Sequence, residues 1–394
     1  MRPKEAYARK PFLIVHKEKQ IRKDIYGSID DTIILQAQHL RGETDSDTVL
    51  VAMHPVGAPG YLPVFSALAR AGHHVIACGS RYWNGDAALQ MENVLLDLGA
   101  CVREARERFG YRKVVLVGWS GGGAIMAGYQ AEAEKRQIMQ TSAGEHTPLA
   151  EARLGKGDAL MLIASHRSRH HLITGQIDAS ILEEKNPDMR DPALDLYDAA
   201  NGPRSPYSAS FVDTYRQAQI ARNRRISAWA KDKLSRFKLQ GRDDDEYCFV
   251  VHGTMADPRW LDAALEPNDR VPNGSYLGSP QIVNNSAVAL GRYSSLRSWL
   301  SQWSYDDAQV DSVEAGPRIT VPSLVVTASA DDACPPSHTD AIFAALGTKD
   351  KEAHVIKGAN HYFSGPQGAD HIAQLIALTG GWLSARGFST QIAG

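Results

Sequence analysis

Five residues, Gly118-Trp119-Ser120-Gly121-Gly122, have the form G-x-S-x-G. That spacing carries chemistry when it joins a strand to a helix. Here the apolar run 114–117 precedes it and a helix-forming stretch follows from Gly122. A sharp turn at such a junction lifts the Ser120 hydroxyl above the strand end. Side chains at 118 and 121 would collide with neighbouring backbone, which accounts for glycine at both. The Gly121 N–H then faces the hydroxyl from the first turn of a helix, whose partial positive charge suits a developing oxyanion.

A nucleophilic serine needs a base, and the base needs an orienting acid. In a strand–turn–helix setting the chain order is serine, acid, histidine. The apolar run 322–328 ends in Ser329-Ala330-Asp331-Asp332-Ala333-Cys334-Pro335, and the run 353–358 ends in Ala359-Asn360-His361. Both candidates stand at the carboxyl ends of strands, where open α/β sheets place their sites. Adjacent residues leaving a strand point in different directions, so only one of Asp331 and Asp332 should reach His361.

The elements that must position these residues alternate. Apolar runs at 12–16, 32–40, 48–54, 73–79, 113–120 and 158–165 read as strands, with a polar turn at 27–31 between the first two. Helical patterns at 63–72, 87–109 and after 120 separate the later ones, which predicts a parallel sheet covered on both faces. The rhythm stops at His166 and resumes near 318, with strands at 322–328 and 353–358 and helices at 337–346 and 366–386. A structureless loop of that length is improbable in a compact domain. The expectation is a catalytic core of 1–165 and 318–394 with a partly helical cap at 166–317. The cap holds a long basic helix at 208–238, a strand at 247–253, a Gly/Pro/Asn-rich loop at 266–287 and the segment 294–304.

With these motifs in place the chain resembles the α/β-hydrolase superfamily. GWSGG is similar to its nucleophile elbow, SADDACPP to its acid loop and KGANH to its histidine loop. The resemblance covers 1–165 and 318–394. It implies an α/β fold with an eight-stranded, mostly parallel sheet, and no cofactor. It favours Asp331 as the acid, three residues after Ala328 and four before Pro335. It also implies a second oxyanion N–H after the third strand, where His54-Pro55-Val56-Gly57 stands. Proline has no N–H to give, so Val56 takes that position, with Gly57 as the fallback, and His54 is read as bracing the loop. A serine at the elbow argues against the dehalogenases and epoxide hydrolases of the superfamily, which use aspartate there.

Other candidates carry less. Trp299 and Trp303 are four apart and share a helical face. They read as cap core, or as an aromatic wall over Ser120. Tyr82 and Trp83 follow a strand and, with Trp119 inside the elbow, are candidates to line the substrate pocket. His166, His170 and His171 lie close together, but Arg167 and Arg169 flank them and would repel a cation, so the reading is a solvated stretch or cap hinge and no metal site. The run 243–246 reads as a solvated turn and Arg222, Arg224 and Arg225 as a helix face.

Across 394 residues the formal net charge is -2, with no basic stripe and no apolar run of membrane-spanning length, so nothing points to nucleic acid or a membrane. Four scattered cysteines make no disulfide framework. Together with a basic N-terminus that lacks a secretory apolar stretch, this predicts a soluble, cytoplasmic protein. The activity expected is hydrolysis of a small carboxylic ester, with an apolar or aromatic group, through an acyl-enzyme. A C–C bond hydrolase, thioesterase, lactonase or acyltransferase would use the same residues. A binding protein that kept the fold is the alternative of another class. Substrate identity and oligomeric state are not written in these motifs.

Overall fold

The computed structural model describes residues 7–19, 23, 31–42 and 44–388. The polar turn expected at 27–31 lies outside them except for Asp31. The main sheet has eight strands: β1 Tyr7–Lys17, β2 Thr32–Gly42, β3 Thr48–His54, β4 His74–Gly79, β5 Lys113–Ser120, β6 Ala159–Ser165, β7 Ser323–Ala328 and β8 Lys351–Ile356. Their spatial order is β1-β2-β4-β3-β5-β6-β7-β8. Both pairings of β2 are antiparallel, and every pairing from β4 to β8 is parallel.

The central strands are buried on both faces, which is why they read as continuous apolar runs rather than alternating ones. Along β5, Val114 and Leu116 point into one apolar layer, and Val115, Val117 and Trp119 into the other. Helices α2 (Met91–Glu107) and α3 (Gly121–Glu134) cover the first face. Helix α1 (Pro63–Arg70) and the C-terminal helix Gly368–Ala385 cover the second. Parallel neighbours leave the carboxyl ends of β3 to β8 on one edge, where the loops that follow β3, β5, β6, β7 and β8 lie.

Between β6 and β7 lies a long insertion that bonds back to the core through Ser301 to Met91 and Gln302 to the Asp86 carbonyl. It contains the short helix α4 (Arg169–Thr174), the 31-residue helix α5 (Ala209–Leu239) and two small antiparallel pairs, Ile181–Glu183 with Asn186–Arg190 and Cys248–Val250 with Tyr293–Ser295. Its own apolar cluster gathers Ile173, Ile177, Ile226, Val251, Leu296 and Leu300 around Trp299 and Trp303. The last residues of the insertion turn back to the sheet, and Val310 and Ala315 pack in the first apolar layer. The strand expected over 247–253 is only three residues long, Cys248–Val250, although the Val251 N–H still bonds the Arg292 carbonyl at 2.9 Å. Arg222 is not on an open helix face but buried against Glu184, at 2.7 Å. Among the described residues no helix is long and apolar enough to cross a membrane.

Candidate active site

The turn after β5 is tight enough to dictate its residues. Ser120 has φ 54° and ψ −127°, a conformation that non-glycine residues rarely adopt. It precedes α3 without capping it, so its hydroxyl is left for other partners. A Cβ on Gly118 would lie 2.6 Å from Gly123 Cα, and one on Gly122 would lie 2.5 Å from the Met53 carbonyl oxygen. The steric need for glycine at 118 holds as expected. At 121 it is milder, since the closest atoms belong to His54 and Pro55 side chains at 3.2 Å. Gly122 and Gly123 carry the constraint instead: they let α3 pack directly on β3 and β6.

The structure brings Ser120, His361 and Asp331 into one line. Ser120 Oγ lies 3.0 Å from His361 Nε2, and His361 Nδ1 lies 2.9 Å from Asp331 Oδ2. The second carboxylate oxygen of Asp331 accepts the backbone N–H groups of Ala333 at 2.8 Å and Cys334 at 2.7 Å. These bonds hold the carboxylate in one orientation. It is Asp331 that contacts His361; the backbone carbonyl of Asp332 accepts the Trp260 indole N–H, and burial together with the charge of Asp331 pushes the Asp332 carboxyl up. Trp119 donates to the His361 carbonyl at 3.1 Å and its ring lies 4.7 Å from the imidazole. It braces the histidine.

This is an α/β-hydrolase fold. The strand order and the strained serine turn between β5 and α3 decide it. No protein-family model matches the chain, and no curated protein matches it in sequence. Solved structures of α/β-hydrolases are similar at low identity. The monoacylglycerol lipase of Paleococcus ferrophilus matches over 87% of this chain and 97% of its own, at 16% identity and a TM-score of 0.46. A thermophilic esterase from Thermogutta terrifontis matches over 91% and 96%, at 13% identity and 0.41. The dienelactone hydrolase of Anabaena variabilis matches over 96% and 98%, at 10% identity and 0.43.

In this α/β-hydrolase fold Gly121 opens α3, a Cβ on it would lie 3.2 Å from the His54 and Pro55 side chains, and Val56 follows them in the loop after β3. Gly57 N–H donates to the Trp83 carbonyl at 2.7 Å, so the fallback donor is already engaged. His54 Nδ1 bonds the Val56 carbonyl, and burial lowers its pKa to about 4. A neutral His54 therefore pins the shape of the loop despite the proline.

Four aromatic candidates stand away from the reacting groups. Tyr82 is buried in the first apolar layer, where its hydroxyl takes the Asn93 amide at 3.0 Å. Trp83 is an exposed residue whose Cβ faces Gly79. Trp299 and Trp303 are fully buried in the insertion's own apolar cluster and form no wall over Ser120. Trp299 donates to Ser227 at 2.9 Å, and Trp303 stacks under the Arg169 guanidinium at 4.1 Å. Their side chains hold the insertion together from inside.

The largest correction concerns His166. It is neither solvated nor grouped with its neighbours: it is buried, and its Nε2 lies 3.2 Å from Ser120 Oγ. The signal was available. His166 is the first residue after β6, at the carboxyl edge where the positional rule had located the other three groups. His170 and His171 instead approach Asp311 at 3.4 and 3.5 Å, and Arg167 already occupies that carboxylate through two bonds at 2.9 and 3.1 Å. The guanidinium supplies the cation there.

Proposed function

We propose that this protein is a serine hydrolase that cleaves a carboxylic ester of a small molecule through an acyl-enzyme. The observation that carries the reading is the line from Ser120 through His361 to Asp331, with contacts of 3.0 and 2.9 Å, set on a strained turn at a helix start. In this reading His361 Nε2 takes the Ser120 proton as Oγ attacks the acyl carbon, and Asp331 holds the Nδ1–H tautomer and balances the imidazolium charge. The N–H groups of Gly121 and Val56 receive the oxyanion. The imidazolium protonates the leaving alcohol, and the freed His361 then activates water to release the acid. Residues 166–317 act as a cap that chooses the substrate. With the tryptophans turned inward, nothing favours an aromatic substrate over an aliphatic one.

The test is a panel of ester, thioester, lactone, amide and β-diketone substrates, compared by kcat/KM, alongside labelling with a fluorophosphonate. The expected result is labelling of Ser120 and highest turnover on an ester. Ser120→Ala should keep the fold and lose about 10⁶ in kcat. A variant that retains a tenth of the wild-type rate, or a wild type that the probe fails to label, would overturn the reading.

A further inference from the structure

The Ser120 hydroxyl has two imidazoles on it, and the second belongs to no acid–base–nucleophile scheme of three residues. His361 approaches Oγ at 3.0 Å and His166 at 3.2 Å, both through Nε2. Each ring is held at its far nitrogen by the same loop after β7. Asp331 takes His361 Nδ1 at 2.9 Å, and three residues later Cys334 Sγ lies 3.1 Å from His166 Nδ1. The two holders are themselves joined, because Cys334 N–H donates to Asp331 Oδ1 at 2.7 Å.

A local distortion delivers His166 to this position. The pairing of β5 with β6 runs Trp119 to Ile163 and then Ser120 to Ser165, leaving Ala164 as an extra residue with φ 45°. This is a bulge, a device that re-aims the side chains beyond it. The His166 N–H bonds back to the Ser120 carbonyl at 3.2 Å, and the Ala164 carbonyl faces Cys334 Sγ at 3.0 Å. Two strained non-glycine residues, Ser120 and Ala164, thus sit side by side on neighbouring strands.

Proton counting assigns the roles. Asp331 fixes the proton of a neutral His361 on Nδ1, so His361 Nε2 is bare and takes the single hydroxyl proton of Ser120. His166 Nε2 faces the same oxygen and can be satisfied there only as a donor. Its Nδ1 is then bare and shares the one Cys334 S–H, at 3.1 Å, with the Ala164 carbonyl, which accepts it at 3.0 Å. Resting on the serine-hydrolase reading above, we propose that His166 is a further catalytic residue, an N–H donor to Ser120 Oγ that stabilises this oxygen when it leaves the acyl-enzyme.

Burial keeps His166 well below its usual pKa, with His361, His338, His54 and Arg169 adding to the effect, so the ring does not compete for the proton that His361 carries. Burial likewise holds Cys334 as a thiol. A carboxylate behind one ring and a thiol behind the other separate a base from a fixed donor. In deacylation, water loses a proton to His361 Nε2 and its oxygen attacks the acyl carbon. The bond from that carbon to Oγ then breaks, and Oγ takes the proton back from His361 while the His166 N–H bonds to it without transfer. An ester oxygen is a poor acceptor and a departing alkoxide a strong one, so the donor gains most in this step. In acylation the starting hydroxyl already accepts the same bond, and the gain is smaller.

The experiment measures acylation and deacylation separately, by stopped flow with p-nitrophenyl acetate, in wild type, His166→Phe and His166→Gln. Phe keeps a planar ring without the N–H, and Gln restores a donor. For Phe, the ratio of deacylation to acylation rate constants should fall at least tenfold, with kcat and KM falling together, and Gln should recover most of the ratio. Unchanged deacylation in Phe, or acylation and deacylation slowed equally, would overturn the proposal. Should Phe fail to fold by circular dichroism, Cys334→Ala, which leaves the ring but removes its S–H partner, should shift the ratio in the same direction, and an unshifted ratio would overturn it. Ser120→Ala separates the two levels. If it keeps turnover, the serine-hydrolase reading fails; if it is dead while His166→Phe matches wild type, only the role of His166 fails.

Discussion

Asp331 and Asp332 are adjacent and chemically identical, so the contrast between them isolates what position contributes. Asp331 is fixed by two backbone N–H groups and touches His361, whereas the Asp332 carboxyl is pushed up by burial and by its neighbour's charge. Asp331→Asn should keep the geometry but favour the wrong imidazole tautomer, with a loss of up to about 10⁴ in kcat. Asp332→Asn removes a charge that the fold disfavours and should cost less than about tenfold. Measuring both on one ester decides between them, and a crippled Asp332→Asn would move the acid by one residue. Ser120, Asp331 and His361 are legible as candidates because each stands at, or a few residues beyond, the carboxyl end of a strand that the sequence shows. His166 closes β6 in the same way, but it was read with His170 and His171, whose proximity in sequence masked a different destination in space. The tryptophans were illegible for a different reason: helical spacing places two rings on one face without saying what that face meets. Here it is turned into the cap's own apolar cluster.

The elbow depends on an approach of backbone to backbone that no side chain can share. Gly122→Ala would set a methyl 2.5 Å from the Met53 carbonyl oxygen, where neither α3 nor β3 can yield without moving Ser120. The expected outcome is a destabilisation of about 1–3 kcal/mol with a loss of activity beyond what stability accounts for. Urea unfolding together with kcat/KM checks it, and a variant equal to wild type in both would show that the contact is not limiting. The strands flanking this turn were readable because burial on both faces forces continuous apolar runs, and the covering helices because their patterns are long. The interior of the cap was not. Its order comes from irregular partners such as Arg222 against Glu184 and Asn223 against the Trp303 carbonyl at 2.8 Å. Such polar contacts leave no period in the sequence.

Among the described residues, several buried or half-buried histidines are held toward the neutral form. His39, His54 and His171 are lowered to about 4 and His338 to about 3, in each case mainly by burial. Unfolding returns each to its ordinary value near 6.5. Between about pH 4 and 6.5 the unfolded chain therefore binds protons that the folded chain does not, and stability falls as the pH falls through that window. Each histidine contributes a slope of up to about 1.4 kcal/mol per pH unit. The urea midpoint should drop steadily from pH 7 to 5. A midpoint that stays level over this range would mean that the rings are protonated in place.

The pairing of β6 with β7 joins residues on opposite sides of the insertion, with Leu160 beside Ser323 and Ile163 beside Val326. Ser120 and His166 come from one side of that seam, Asp331 and His361 from the other. A chain released only as far as residue 200 therefore carries Ser120 and His166 but neither Asp331 nor His361. It also carries a strand of buried apolar side chains with an open edge, which is a template for wrong pairing. Cutting the gene within the cap should yield two halves that are silent and poorly soluble alone. Made together, they should recover activity only where β7 finds β6, which makes this seam a natural place to split the protein into a two-part reporter.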